Sequence, residues 1–251
     1  MKLPVCIAAL ALFLALSSLS GMINAGILAG TTRVIYTEKD TEKTVMLVNT
    51  NAYPVFTQVW VDDGSNNPDF ENPPFIVLPA VFHLLPKEIK AIRILYNKMP
   101  LATDRESVYW LNLYEIPPVK KSSLVGNGLN VAMNTQLKVF FRPKQLKPMQ
   151  IDEINRDLRF ELTESGTLPA QLKMYNATAY HATAINLKLL NKTTNTIAYT
   201  LLNTMAAPFG QSVLNENRID FNPAQTYVMQ YTLLDDQGNK HFFEKPLSRA
   251  Q

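Results

Sequence analysis

The segment LNVAMNTQLKVFFRP, at positions 129–143, constrains the fold most strongly. Its odd-numbered positions from Leu129 to Phe141 are almost all apolar, whereas its even-numbered positions are mostly polar. This period of two predicts a β-strand with one apolar face. Thirteen such residues would extend over roughly 43 Å, far beyond an ordinary strand. One small domain is therefore not expected to cover the whole apolar face, which leaves open what covers its first part.

The first 25 residues have the pattern of a secretory signal peptide. Lys2 precedes the apolar run IAALALFLAL, and small residues follow it as far as Ala25. A membrane-spanning helix needs about 20 apolar residues, which makes a membrane anchor the weaker interpretation. We predict cleavage after Ala25, a mature chain that starts at Gly26, and a periplasmic location.

The only cysteine, Cys6, lies within the predicted signal peptide. The mature protein is therefore expected to have no disulfide and to depend on its core, as an exported bacterial protein can. Removal of Lys2 lowers the formal charge from +3 to +2. This near-neutral charge and the lack of a dense basic cluster argue against nucleic acid as a partner. No second apolar segment is long enough for membrane insertion.

Strand-like segments dominate the mature sequence and favour an all-β fold. They are rich in Val, Ile, Tyr, Phe and Trp, and clusters of Asn, Gly, Pro and Asp separate them. The stretch at 143–155 lacks strand periodicity and is interpreted as an interdomain connection. Convincing long helices are absent. The sequence thus predicts a signal peptide at 1–25 and two antiparallel β-sandwiches of about seven strands each, at 26–146 and 147–251.

Motifs for catalysis or metal binding are missing from the sequence. The three histidines, His83, His181 and His241, stand far apart, and none belongs to a zinc-binding motif. There is no GxSxG elbow, no phosphate-binding glycine loop and no cysteine nucleophile in the mature chain. We therefore predict no enzymatic activity, no metal and no cofactor.

Several stretches resemble the PapD-like periplasmic chaperones of pilus assembly. They are TTRVIY at 31–36, QVWVDD at 58–63, PFIVLP at 74–79, DRESVYWLNLYEIPP at 104–118 and LKVFFRP at 137–143. Weaker matches in the second domain are MAAPFGQS at 205–212 and LLDDQG at 233–238. The resemblance covers nearly all of the mature chain, in the order of the family.

This resemblance implies two immunoglobulin-like domains set at an angle, with a cleft between them that binds an incomplete pilus or fimbrial subunit. The chaperone would lend a strand, predicted at 129–142, to the subunit and deliver it to an outer-membrane usher. Leu129, Val131 and Met133 would fill the subunit groove, which answers the question of the uncovered face. Arg33 and Lys138 would grip the C-terminal carboxylate of the subunit.

The resemblance also implies an ion-pair network of Glu106, Arg142 and Asp236 between the domains, with Asp235 as an alternative carboxylate. We hypothesise that this network fixes the interdomain angle. The loop at 118–128 is short and resembles that of the subclass that serves rod-like pili. Because an apolar strand edge promotes aggregation, we also expect weak self-association of the free protein, as a monomer–dimer equilibrium.

Two other functions remain open at this point. In a secreted β-sandwich adhesin or carbohydrate-binding module, Tyr53, Trp60 or Tyr109 would serve as stacking platforms, whereas the chaperone interpretation makes them mostly core residues. A hydrolase on a sandwich scaffold is disfavoured by the missing catalytic groups. Taken singly, Arg33 and Lys138 would be ordinary surface residues, and only their occurrence together within the matched motifs favours a binding site.

Overall fold

The computed structural model describes residues 26–118, 131–165, 168–215, 219, 222 and 224–249. The first part of the chain forms strands β1 (Ile27–Ala29), β2 (Arg33–Thr37), β3 (Lys43–Asn49), β4 (Val55–Asp62), β5 (Phe75–Leu78), β6 (Val81–Leu84), β7 (Ile89–Tyr96), β8 (Ser107–Ile116) and β9 (Met133–Arg142). The second part forms helix α1 (Ile151–Asp157) and strands β10 (Leu158–Ser165), β11 (Leu168–Asn176), β12 (Ala182–Asn191), β13 (Thr196–Ala206), β14 (Gly210–Val213), β15 (Tyr227–Leu234), β16 (Lys240–Pro246) and β17 (Ser248–Arg249).

The strands before helix α1 form a first sandwich of two sheets, ordered β1-β3-β7-β5 and β2-β9-β8-β4-β6. Its strands bury alternate residues, as the pattern in β3 illustrates, where Val45 and Leu47 face inward and their neighbours do not. Aromatic rings fill the centre of the core. Tyr36 packs edge-on against Phe75 at 5.2 Å between ring centroids, and Tyr96 packs against Phe141 at 4.7 Å.

The remaining strands form a second sandwich, with sheets ordered β14-β11-β10-β17 and β13-β12-β15-β16. Its core is separate from the first and contains the packed rings of Phe160 and Tyr231. Helix α1 belongs to this sandwich because Ile154 is buried in its core and the Tyr231 hydroxyl donates to Asn155 Oδ1 at 2.6 Å. The ammonium group of Lys245 donates to carbonyls at the carboxyl end of the helix, where a positive charge is favourable.

A buried asparagine ends the corresponding strand in each sandwich. The Asn49 carboxamide, at the end of β3, donates to the carbonyls of Tyr53 and Leu84 at 2.9 and 3.0 Å. Asn176, at the end of β11, donates to the carbonyl of Tyr180 at 2.7 Å and to the carbonyls of the last residue of β13 and of the residue that follows it. Each side chain thereby supplies hydrogen-bond donors to carbonyls that surround the end of its strand.

The structure confirms the predicted all-β fold of two immunoglobulin-like sandwiches and corrects three details. The connection predicted at 143–155 is not irregular throughout, because helix α1 begins at Ile151. Two strand pairs, β2 with β9 and β10 with β17, are parallel, although antiparallel sandwiches were expected. The described residues form nine strands before helix α1 and eight after it, because short edge strands add to the about seven of a sandwich of this type.

The described residues also contain no helix that is both long and apolar enough to span a lipid bilayer.

Candidate functional site

Strand β9 has a complete set of neighbours only along its second half. It pairs with β8 from Met133 to Phe141, but with β2 only from Lys138 to Arg142. Within the described chain, residues 133–137 therefore have a strand on one side only, and we call this segment the free edge. Unpaired backbone groups of this kind are a template for another strand.

Burial along β9 follows the same division. Leu137, Val139 and Phe141 lie in the core of the first sandwich, whereas Met133 is 45% exposed. Val131, which precedes the first paired residue, is 62% exposed. Leu129 lies outside the described residues, as does nearly all of the 118–128 loop. The apolar face of β9 is therefore buried from Leu137 onwards and exposed at Met133, the first residue of the strand.

Two cations mark the point where the free edge ends. Arg33 and Lys138 are register partners in the parallel pair of β2 and β9, and we call them the cation pair. Arg33 is only 9% exposed, and its buried Nε atom has no hydrogen-bond partner. The guanidinium lies 5.7 Å above the ring of Phe140, which is buried beneath it. Within the described residues, neither cation forms a salt bridge, so a ligand could still pair with both.

The pKa shifts reflect this lack of compensation. Burial, and then the charge of Arg33, lowers the pKa of Lys138. Burial also lowers the pKa of Arg33, although the carboxylates of Asp236, Asp235 and Glu106 oppose the shift. Both shifts mean that the site disfavours its own positive charge. An anion between the two cations would relieve this cost, and a carboxylate suits the planar guanidinium.

The cation pair lies at the junction of the two sandwiches. Thr32, beside Arg33, approaches Gly238 of the second sandwich so closely that a Cβ there would lie 2.7 Å from Thr32 Oγ1. Gly238 also has a φ of +83°, so this contact requires glycine for two reasons. Phe140 packs against His181 at 5.5 Å between ring centroids.

A buried network of charges joins the sandwiches next to this site. Arg142 donates to Glu106 Oε1 at 2.8 Å through Nη2, and to Asp236 Oδ2 at 2.7 Å through Nη1. Its side chain and that of Glu106 are almost fully buried. The partner of Arg142 is Asp236, whereas Asp235 contacts His241 at 2.9 Å. The structure therefore brings Glu106, Arg142 and Asp236 together, and the alternative with Asp235 does not form.

Sequence reasoning missed one member of this network, His181. Both its backbone N–H and its Nδ1 lie within 2.9 Å of Glu106 Oε2. Glu106 thus uses one carboxylate oxygen for each sandwich. The sequence does not indicate this role, because His181 stands alone and no local motif connects it to a glutamate 75 positions earlier.

The ring contacts of the described residues do not join the three aromatic residues considered for glycan stacking to one another. Tyr53 is 42% exposed, so the expectation that it belongs to the core was wrong. Trp60 and Tyr109 are half-buried, and the Tyr109 ring packs on Phe75 in the core. No group of three or more His, Cys, Asp or Glu side chains in the described chain is arranged to hold a metal ion.

Comparisons with known families identify the architecture. Residues 26–147 match the family model described as "Pili and flagellar-assembly chaperone, PapD N-terminal domain", and residues 153–244 match "Pili assembly chaperone PapD, C-terminal domain". The chain belongs to the PapD family of pilus-assembly chaperones. Members of this family act in the periplasm and are chaperones rather than enzymes.

Individual PapD relatives match over most of their length. The chaperone protein FimB/FhaD of Bordetella pertussis is 33% identical and is covered to 88%, with 89% of this chain. The crystal structure of the Pseudomonas aeruginosa CupB2 chaperone superposes with a TM-score of 0.67 at 29% identity, over 87% of this chain and 99% of that one. A structure of the Salmonella enterica SafA pilin in complex with the SafB chaperone gives a TM-score of 0.67 at 26% identity, over 88% and 96%.

The cation pair is expected to reduce the stability of the free PapD-like chaperone. In Lys138→Met, the aliphatic stem is kept and the charge beside Arg33 is removed. Because the folded state lowers the pKa of Lys138, the charged lysine opposes folding at neutral pH, and the variant should gain about 0.5–1 kcal/mol of unfolding free energy. Urea denaturation at pH 7 measures this gain. A loss of stability would contradict the absence of a compensating partner.

Proposed function

We propose that this chain is a periplasmic chaperone that binds pilus or fimbrial subunits by donor-strand complementation and delivers them to an outer-membrane usher. The observation that carries the proposal is the cation pair without a partner at the end of the free edge. An incomplete subunit would supply both a strand that pairs with the free edge and a terminal carboxylate that pairs with the two cations.

The arrangement determines the direction of the added strand. Its carboxylate must lie at Arg33 and Lys138, where β2 begins, and its backbone must pair with residues 133–137, which precede Lys138 in β9. A segment that satisfies both conditions runs towards Lys138 and is therefore parallel to β9. It continues the line of β2, which is itself parallel to β9.

The apolar side chains and the cations would have separate roles. Leu129, Val131 and Met133 would enter the subunit groove and contribute roughly 1.5–3 kcal/mol each before the cost of ordering. A charge-assisted hydrogen bond contributes about 1.5–3 kcal/mol. The apolar positions would therefore supply most of the affinity, and the cation pair would set the register. A slip of one residue would present Asn130, Ala132 and Asn134 instead.

Known relatives support this proposal. SafB, which is 26% identical over 88% of this chain, is described in complex with the SafA pilin. We further propose that residues 1–25 are a cleaved signal peptide, that the two domains are 26–146 and 147–251, and that the protein has no enzymatic activity. The buried network of Glu106, Arg142 and Asp236 would hold the two domains in a fixed orientation, without contacting the subunit.

The direct test is subunit capture by charge variants. Arg33→Met and Lys138→Met should lose the fimbrial subunit when it is co-expressed in the periplasm and the chaperone is purified by affinity, because the carboxylate would lose a ligand. Lys173→Met is the matched control, since Lys173 is a half-buried strand lysine of the second sandwich. The control and the wild type should retain the subunit. Retention by both charge variants would contradict the proposed site.

The role of the network has its own test. Glu106→Ala removes the acceptor of hydrogen bonds from Arg142 and His181, and breaking a buried ion pair costs about 3–5 kcal/mol. We expect a changed interdomain orientation in small-angle X-ray scattering of the free protein. Glu244→Ala, which removes an exposed pair with Lys192 at 3.1 Å and an exposed hydrogen bond from Gln230 at 2.9 Å, both within the second sandwich, should leave the scattering curve unchanged. An unaltered curve for Glu106→Ala would show that the network does not set the orientation.

A further inference from the structure

A buried carboxylate lies beneath the outer face of the sheet that contains β9. Asp62, at the end of β4, is completely buried and accepts hydrogen bonds from Trp60 Nε1 at 3.1 Å and from the backbone N–H of Gly64 at 2.8 Å. It also accepts from Asn112 Nδ2 at 3.0 Å. Neither the cation pair nor the interdomain network uses this carboxylate, so its position needs another explanation.

The carboxylate determines the orientation of Asn112, in the middle of β8. Because Asn112 Nδ2 donates to Asp62 Oδ2, the amide NH₂ of Asn112 faces Asp62. The Asn112 carbonyl oxygen then faces β9, where it accepts from Asn134 Nδ2 at 2.9 Å and from Gln136 Nε2 at 2.8 Å. Asn112 itself is completely buried.

The two donors belong to the free edge. Gln136 is the register partner of Asn112, and Asn134 is the next residue on the same face of β9. In this segment the backbone of β9 pairs with β8 only. The side-chain hydrogen bonds to Asn112 therefore strengthen the attachment of the segment to its one neighbouring strand. A shift of one residue would place Thr135 or Leu137 opposite Asn112, and neither side chain carries an amide donor.

We infer that Asn112 is a positioning residue for the donated strand, and that it holds the polar face of the free edge against β8 so that the apolar face is presented in one register. The inference depends on the proposed function for its purpose. Its structural part, the fixing of residues 133–137 by Asn112, can be measured in the free protein. Preorganisation of this kind increases the fraction of molecules that are competent to bind.

The first experiment is amide hydrogen exchange of the free, full mature chain. Gln136→Met keeps an unbranched side chain at an exposed position and removes one donor to Asn112. We expect exchange of the amides in residues 133–137 to increase about three- to tenfold, which corresponds to one net hydrogen bond. Gln58→Met is the matched control, because Gln58 lies on the same face and its side chain has no hydrogen-bond partner among the described residues. It should not change exchange in 133–137.

A double-mutant cycle separates positioning from general destabilisation. Asn112→Leu should increase exchange in the same segment, and the combination with Gln136→Met should add less than the sum of the single effects, because both remove the same bond. If Asn112→Leu fails to fold, the variants Gln136→Met and Asn134→Leu replace it, because each removes one of the two donors to Asn112. Exchange in 133–137 that is unchanged in Gln136→Met and in Asn134→Leu would overturn the inference.

Subunit binding then tests the purpose of this arrangement. When denaturant-unfolded fimbrial subunit is diluted into the chaperone, Gln136→Met should lower the association rate constant severalfold and leave dissociation within about twofold, because preorganisation acts before contact. An unchanged association rate would contradict the positioning role. If the wild type captured no subunit, the proposed function would fail, while the exchange experiment would still decide whether Asn112 fixes the strand.

Discussion

Strand β9 has a neighbouring strand on both sides along only part of its length, and the other features of the site depend on the part that has one neighbour. Its second half is an interior strand between β2 and β8, and its first half is an edge. The change occurs at Lys138, where β2 begins. Exposed apolar side chains, unpaired backbone groups and two cations without a salt bridge meet there in the described chain, and one added strand with a terminal carboxylate could satisfy all three. If β9 were only a structural strand, the exposed side chains, the unpaired backbone and the two cations would each need a separate explanation.

Two cations on the same strand have opposite electrostatic environments. Arg142 is buried among hydrogen bonds to Glu106 and Asp236, which raise its pKa in spite of burial. Lys138, four residues earlier on the same strand, has no such partner in the described chain, and its pKa is lowered. The first arrangement pairs charges across the two sandwiches, whereas the second leaves an electrostatic cost in the free protein that a ligand could remove. Retention of such a cost is typical of binding sites.

The sequence predicted the all-β fold because its apolar residues alternate, and the structure confirms that class. The same alternation indicated that the apolar face around Met133 exceeds what one sandwich covers. Helix α1 was missed because seven residues give too little periodicity to distinguish a helix from a connection. The roles of His181 and Asn112 could not be predicted from the sequence. Their hydrogen-bond partners, Glu106 and Asp62, lie far away along the chain, and only the folded sheets bring each pair together.

The central claim is that a carboxylate at the end of the partner strand meets Arg33 and Lys138. The most direct measurement compares two synthetic peptides with the sequence of the last strand of a fimbrial subunit, one ending in a free carboxylate and one in an amide. Isothermal titration calorimetry should give roughly tenfold tighter binding of the free acid to the wild type, equivalent to about 1.4 kcal/mol. Lys138→Met should reduce this preference. Equal affinities of the wild type for the two peptides would contradict the account.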